Sequence, residues 1–236
     1  MRPDIPTEAQ DPIDANWQWL QATARALGAA LVGSTSLERV DRPVHLTPQE
    51  RAGLTHAISL AVRLSRAVLD GLEDGPNLIY KWHYRQANVQ LDKIAFLLAD
   101  AIQERGYRAL PIAASQTIDW QKQIGHLSHR HVAAASGLGW IGRNNLLVTP
   151  QYGAQVRLVT VLTSMPLPQG QPLPFGCGEC RACLPACPVG ALGETPSEWK
   201  YEDCFRLLDS FARKRNLGLH ICGLCVKACP GPQKLR

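Results

Sequence analysis

Apolar residues recur at every third or fourth position in two segments of the N-terminal half of the chain. This is the spacing of one helix face, so residues 14–28 and 77–105 are predicted to be helices. The second segment contains no Pro or Gly, which favours one long helix. Short apolar runs follow both segments, at residues 29–33 and 107–112, and are typical of buried strands. The pattern predicts two helix–strand units.

Three further apolar runs are interpreted as strands. Residues 57–63 form a bounded apolar run, and residues 145–149 and 154–162 are joined through turn residues 150–153, which predicts a hairpin. The segment Thr47-Pro-Gln-Glu50 has the form of a capping box and predicts the start of a helix. Helices and strands in this mixed order predict an α+β fold.

Composition fits a globular protein with one domain of about 170 residues and a small appendage, within a total of 236 residues. The net charge is +5, and its dense basic run, residues 213–215, is typical of a solvated helix end more than of a nucleic-acid patch. No stretch approaches 18 apolar residues and the first residues have no apolar signal-peptide core. We therefore expect a cytoplasmic protein without a membrane partner, for which nucleic acid is an unlikely partner.

All eight cysteines lie within residues 177–229. The first run, Cys177 to Pro188, reads C-x2-C-x2-C-x3-C-P, and the second ends as C-x2-C-x3-C-P at Pro230, with Cys204 set apart as its first cysteine. In bacterial ferredoxins this spacing binds [4Fe–4S] clusters, and the cysteine before proline binds the other cluster. The spacing therefore predicts two [4Fe–4S] clusters.

The ligand sets follow from that crossing rule. One cluster is predicted to be bound by Cys177, Cys180, Cys183 and Cys229, and the other by Cys187, Cys204, Cys222 and Cys225. Two alternatives fit less well: disulfides need an oxidising compartment, and tetrahedral zinc has no use for the third closely spaced cysteine. The predicted domains are residues 1–165, an α+β cofactor and substrate domain; residues 166–174, a proline-rich linker; and residues 175–236, a ferredoxin-like domain with two clusters.

Candidate catalytic residues lie just before a glycine-rich turn. His126, His129 and His131 can transfer protons near neutral pH or bind a metal, although capping and surface hydrogen bonds explain most such histidines. His126 and His129 are the catalytic candidates, because His131 falls inside a helix predicted to begin after Ser128.

The turn itself has three glycines within residues 137–142, so its backbone bends sharply or lets a ligand approach. The candidate cofactor-binding residues are Gly139, Trp140, Gly142 and Arg143. Pairing of Arg143 with a nearby carboxylate, and packing of Trp140 between the domains, are the structural alternatives. A further polar and aromatic group begins the long helix, at Tyr80, His83, Tyr84, Arg85 and Asn88, where an ordinary surface role is favoured.

The run Gly137-Leu-Gly-Trp-Ile-Gly-Arg-Asn-Asn145, followed by the double cysteine motif with Cys204 set apart, resembles the epoxyqueuosine reductase family. Those enzymes are iron–sulfur and cobalamin proteins related to reductive dehalogenases. The resemblance implies a nitroreductase-like or reductive-dehalogenase-like N-terminal domain that presents cobalamin to the nearer cluster, with electrons entering at the outer cluster.

Two departures from the family pattern indicate a short relative. The segment that carries the catalytic acid in the family has no carboxylate here between Trp120 and His126, and Asp119 lies several residues early. The sequence also ends seven residues after Cys229, without the helical repeats of larger members.

The sequence leads to two alternative hypotheses for the function. The first is an oxidoreductase that receives electrons from a donor such as flavodoxin or ferredoxin and reduces a small-molecule or nucleoside substrate. The second is a ferredoxin-type electron carrier with a partner-docking domain and no catalysis of its own.

Overall fold

The computed structural model describes residues 11–120 and 123–231. Its helices are α1 (Pro12–Ala26), α2 (Pro48–Arg51), α3 (Arg66–Asp70), α4 (Leu78–Glu104), α5 (His129–Ala135), α6 (Tyr201–Lys214) and α7 (Leu224–Lys227). Its strands are β1 (Leu31–Ser36), β2 (His56–Arg63), β3 (Ala109–Ile112), β4 (Trp140–Ile141), β5 (Leu147–Val148) and β6 (Val156–Thr163). The mixed α+β class is confirmed, whereas the ferredoxin-like domain with two clusters stays a prediction.

A four-stranded antiparallel sheet, in the order β1-β2-β6-β3, forms the centre of the fold. Alternate residues of a strand point to opposite faces. In β2, Ile58 and Leu60 therefore join the cluster that contains α4, while Ala57 joins the cluster that contains Val132 of α5. Covering on both faces explains why residues 57–62 are all buried.

The 27-residue helix α4 spans about 40 Å and covers one face of the sheet. The Asn77 side chain accepts a hydrogen bond from the Tyr80 backbone N–H (2.9 Å) and caps the helix. The buried face consists of Tyr80, Ala87, Leu91, Ile94, Ala95, Leu98, Ala99 and Ile102. The predicted long helix is thereby confirmed, as are the strand at 57–63 and the capping box of α2.

The predicted hairpin of residues 145–149 and 154–162 is wrong. β5 pairs with β4 in a separate two-stranded sheet, and β6 pairs with β2 and β3. Close approach explains this pairing: a Cβ built on Gly139 would lie 2.1 Å from the Val148 carbonyl oxygen, so β5 reaches its partner only because residue 139 is glycine.

The cysteine-rich half packs on the N-terminal half through one shared hydrophobic cluster. Leu69 and Leu72, near α3, share that cluster with Phe211, Ile221 and Leu224. The predicted domain boundaries stay a prediction, and their outer ends, residues 1–10 and 232–236, lie outside the described residues. No helix in the described part of the chain combines the length and apolar character needed to cross a membrane.

Candidate functional site

The eight cysteines form two groups, each lining its own cavity. A small cavity of about 40 Å³ is lined by Cys177, Cys180, Cys183 and Cys229, here called the outer cysteine set. A large cavity of about 440 Å³ is lined in part by Cys187, Cys204, Cys222 and Cys225, here called the inner cysteine set. These are the two groups expected from the crossing rule, and their role as cluster ligands remains a prediction.

All eight cysteines are free thiols, with no disulfide between them. Among the described residues, no three His, Cys, Asp or Glu side chains converge on a position for a single metal ion. In a [4Fe–4S] cluster each of the four thiolates binds a different iron, so their sulfur atoms surround a volume. A cavity lined by four cysteines fits such a group.

N–H donors lie close to sulfur in the outer cysteine set. The indole N–H of Trp140, a side chain only 7% exposed, donates to Cys177 Sγ (3.3 Å). A Cβ at Gly142 would lie 3.3 Å from the same sulfur, so glycine allows this turn to approach the cysteine. Burial raises the pKa of Cys229, and a hydrogen bond from the Ala154 backbone opposes the increase.

Burial also raises the thiol pKa of Cys183 to about 11, with a further contribution from neighbouring cysteines, and that of Cys222 to about 11. It raises the pKa of Cys225 as well. Thiolates are the metal ligands, so binding of a metal by these cysteines would be coupled to proton release.

Arg143 stabilises the loop of the outer cysteine set through three contacts. It is 7% exposed, forms an ion pair with Glu194 (3.2 Å), donates to the Cys180 carbonyl oxygen (3.0 Å) and lies over the Phe175 ring (5.3 Å). The carboxylate pairing considered from the sequence is therefore present.

Three of the four predicted cofactor-binding residues lie at the outer cysteine set, and none of the four is in the described lining of the large cavity. Trp140 and Arg143 line the small cavity, Gly142 lies beside Cys177, and Gly139 packs against β5. Their assignment to a cofactor stays a prediction.

The large cavity lies between the two halves of the chain and is partly open to solvent. Its volume falls within the range of about 300–1,000 Å³ found for small-molecule sites. The N-terminal half contributes polar and aromatic side chains that include Tyr80, Tyr84, Ser128, His129, Arg130 and Arg157. No Asp or Glu of the described residues lines this cavity.

His129 lines the large cavity with both ring nitrogens already engaged. Nε2 lies 3.0 Å from the Ala113 carbonyl oxygen, which only accepts, so Nε2 carries the proton. Nδ1 then accepts from the Thr160 hydroxyl (2.8 Å). Burial lowers the pKa of His129 to about 4, so the ring is neutral at pH 7. His126, the other catalytic candidate, is not part of the described cavity lining, so the structure does not bring the two together there.

Arg130 and Arg157 give the cavity its positive charge. Arg130 donates to the Asn145 carbonyl oxygen and lies 5.8 Å from the Trp199 ring, and within the described chain it has no carboxylate partner. Burial lowers the pKa of Arg130. Arg157 stacks 4.3 Å from the Tyr84 ring. Sequence reasoning missed both arginines, because Arg157 lies within an apolar strand pattern and Arg130 beside the histidines.

Aromatic rings continue from the cavity to the surface. The rings of Phe205 and His220 stack 5.3 Å apart and nearly parallel, and Trp120 contacts His220 at 6.0 Å. Tyr201 also stacks with Phe205, at 5.9 Å. Sequence reasoning missed this group, because Trp120 is far in sequence from its partners.

The fold of this chain resembles solved structures of two classes of reductase. A reductive dehalogenase structure, described as suggesting a mechanism for B12-dependent dehalogenation, matches 97% of this chain and 33% of its own, with a TM-score of 0.71 and 20% identity. An epoxyqueuosine reductase with an epoxyqueuosine-modified tRNA-Tyr stem loop matches 93% and 66%, with a TM-score of 0.62 and 22% identity. At these identities the likeness defines the fold.

Sequence similarity points to the second class. The curated epoxyqueuosine reductase of Bacillus cereus is 27% identical over 208 residues, which are 82% of this chain and 51% of that protein. The chain thus spans about half of that relative, and 29% of the curated epoxyqueuosine reductase of Bacillus subtilis, to which it is 35% identical over 114 residues. No family model matches the chain. The resemblance to epoxyqueuosine reductases is confirmed.

These comparisons do not support the prediction that nucleic acid is an unlikely partner, because the structural neighbour described above contains a tRNA stem loop.

Proposed function

We propose that this protein is an iron–sulfur oxidoreductase in which the two cysteine sets hold [4Fe–4S] clusters that pass electrons to a substrate in the large cavity. The observation that carries the proposal is the shared lining of that cavity, formed by the inner cysteine set on one side and by polar residues of the N-terminal half on the other. A substrate bound there would lie beside the inner cluster. Similarity to epoxyqueuosine reductases supports the reductase class.

Exposure indicates the direction of electron flow. Cys180, in the outer cysteine set, is exposed, whereas the inner set lines the large cavity. A donor protein such as flavodoxin or ferredoxin would therefore transfer electrons to the outer cluster, and the inner cluster would serve the substrate.

Bound clusters supply one-electron transfer, and the residues of the chain control their surroundings. Trp140 donates an N–H to Cys177 Sγ, and the Ala191 backbone N–H donates to Cys187 Sγ, each at 3.3 Å. Such hydrogen bonds stabilise negative charge on sulfur and are among the factors that set cluster potentials.

Reduction of an organic substrate also consumes protons. The cavity has no carboxylate in its described lining, and both nitrogens of His129 are engaged. Tyr80 lines the cavity, and its hydroxyl forms no hydrogen bond with another described residue. Burial raises the pKa of Tyr80, so its hydroxyl keeps its proton at neutral pH and can donate a hydrogen bond to a bound substrate. Tyr80→Phe is expected to slow substrate reduction while reduction of the clusters by dithionite is unchanged.

Cobalamin is the further cofactor implied by the resemblance. The large cavity is partly open to solvent, so a group larger than its volume of about 440 Å³ can extend out of it. The proposed chemistry uses no step on cobalt, and a titration tests whether cobalamin binds.

Anaerobic reconstitution of the full chain tests the proposal. We expect about eight irons per chain and EPR signals from two reduced clusters. Iron far below eight, or zinc in its place, would contradict the proposal.

A titration with cob(II)alamin then separates a corrinoid reductase from an electron carrier. A base-off spectrum supports the corrinoid enzyme, and binding should weaken in Ser128→Trp, which adds bulk to the cavity lining.

An epoxyqueuosine-modified tRNA stem loop is the first substrate to test, because a structural neighbour was solved with it. Oxidation of the reduced clusters by this RNA supports the reductase over the carrier.

A further inference from the structure

The side-chain amide of Asn144 is a buried hydrogen-bond donor without an acceptor. Asn144 is only 4% exposed, and its Nδ2 has no hydrogen-bond partner within the described chain. The other end of the amide is fixed, because Oδ1 accepts from the Leu146 backbone N–H (3.2 Å). An N–H group donates only to an acceptor, so this contact assigns the oxygen and leaves the two N–H bonds of Nδ2 pointing elsewhere. A buried donor that stays unpaired destabilises a fold.

Asn144 lies in the wall between the two cysteine-lined cavities. It lines both the small and the large cavity. Its turn is fixed by hydrogen bonds from Gly142 N–H to Leu146 O (2.9 Å) and from Asn145 N–H to Gly142 O (2.8 Å). A Cβ at Gly142 would lie 3.2 Å from Asn144 Oδ1 and 3.3 Å from Cys177 Sγ, so Asn144 and the outer cysteine set meet at this glycine.

The burial of Nδ2 favours the small cavity. Solvent does not reach this atom, although the large cavity offers about 440 Å³ to water. The small cavity, of about 40 Å³, is the one lined by the outer cysteine set. Its described lining is rich in sulfur and contains no carboxylate, so the acceptor with suitable chemistry at this site is sulfur.

We propose that Asn144 donates an N–H···S hydrogen bond from Nδ2 to a sulfur atom of the cluster held by the outer cysteine set, and thereby makes that cluster easier to reduce. This inference rests on the proposed function. Asn144 is a positioning residue here, because its N–H group changes the reduction potential of the cluster only through its hydrogen bond to sulfur. Reduction adds negative charge to the cluster, and a donor to sulfur stabilises that charge, so the hydrogen bond raises the reduction potential.

The test is an EPR-monitored redox titration of the anaerobically reconstituted full chain. Asn144→Ser keeps a side-chain oxygen that can accept from the Leu146 N–H, as in Ser turns, and removes Nδ2. We expect the reduced-to-oxidised ratio of the outer cluster to fall about tenfold at a fixed potential, which corresponds to 59 mV for one electron. The inner cluster and the iron content should be unchanged.

Three further variants help to interpret this result. Trp140→Phe removes the N–H donor already seen on Cys177 Sγ, so it should move the same cluster in the same direction. Asn145→Gly alters the neighbouring turn residue, whose φ of +55° glycine adopts readily, and should leave the potential unchanged. Cys180→Ser changes a predicted ligand of the outer cluster and so identifies its EPR signal.

An unchanged potential in Asn144→Ser overturns the inference, and so does a shift confined to the inner cluster. If Asn144→Ser loses iron, Asn144→Asp takes its place, because it keeps the turn oxygen and lacks the donor. In that variant the expected fall is larger because of the added charge, and an unchanged potential is again a refutation. A wild-type chain that binds no clusters would overturn the proposed function, whereas wild-type clusters with no effect of Asn144 would overturn this inference alone.

Discussion

The partly buried imidazole of His129 should make the fold sensitive to mild acid. Its ordinary pKa is 6.5, and burial lowers it to about 4 in the folded protein. The unfolded chain therefore binds a proton at a higher pH than the folded chain does. The stabilisation by neutral His129 is fully present above pH 6.5 and is lost progressively as the pH falls from 6.5 towards 4.

The magnitude follows from the pKa difference. Each pKa unit is worth about 1.4 kcal/mol, so the full effect amounts to about 3 kcal/mol. Between pH 7.5 and pH 5.5, where only the first part of the loss occurs, the free energy of unfolding should fall by about 1 kcal/mol because of this residue.

Urea unfolding at pH 7.5, 6.5 and 5.5, on wild type and His129→Gln, isolates the contribution. Gln supplies an N–H donor towards Ala113 O and an oxygen acceptor towards the Thr160 hydroxyl, but does not titrate in this range. Other groups, including partly buried His131, titrate in both proteins and cancel in the comparison. If the difference in stability between the two proteins is the same at all three pH values, His129 is not held neutral by burial and the reasoning is refuted.

Three further substitutions have definite expected outcomes. Gly139→Ala places a methyl group against a backbone carbonyl of β5 and should destabilise the protein by about 1–3 kcal/mol in urea unfolding, whereas Gly71→Ala, with ordinary contact distances, should change little. Arg143→Met removes the contacts that hold the loop of the outer cysteine set and should speed loss of iron to a chelator several-fold. Arg181→Met, which removes two solvent-exposed ion pairs, should not, and equal rates would contradict the role of Arg143. Cys204→Ala should remove the cluster of the inner cysteine set and spare the outer one, and equal loss of both from a folded protein would contradict the ligand sets.

The elements that could be predicted from the sequence are those determined by interactions between residues close together in the chain. The long helix α4 was predictable because 27 residues repeat an apolar stripe without a breaker. The capping box of α2 was predictable because its two hydrogen bonds join residues three apart, Thr47 and Glu50. Pairing of β5 was not, since its partner depends on a close backbone approach at Gly139.

The candidate site also has one part that could be predicted from the sequence and one part that could not. The cysteine grouping follows from short, regular spacings, so it could be predicted before the fold was known. The large cavity could not, because Tyr80, Arg130, Arg157 and Trp199 reach it from four separate parts of the chain. Only the packing of α4, α5, β6 and the cysteine-rich half brings such residues together.

The composition of the large cavity also bears on the choice between a reductase and an electron carrier. A carrier needs a cluster near the surface, and the outer cysteine set with exposed Cys180 meets that need. The inner set instead shares the large cavity with Arg130, which is partly buried without a carboxylate partner in the described chain, and with Tyr80, which is only 3% exposed. Buried cationic and polar groups cost stability unless something pairs with them. Because a carrier would gain nothing from such groups around its second cluster, their presence favours a site that binds a substrate there.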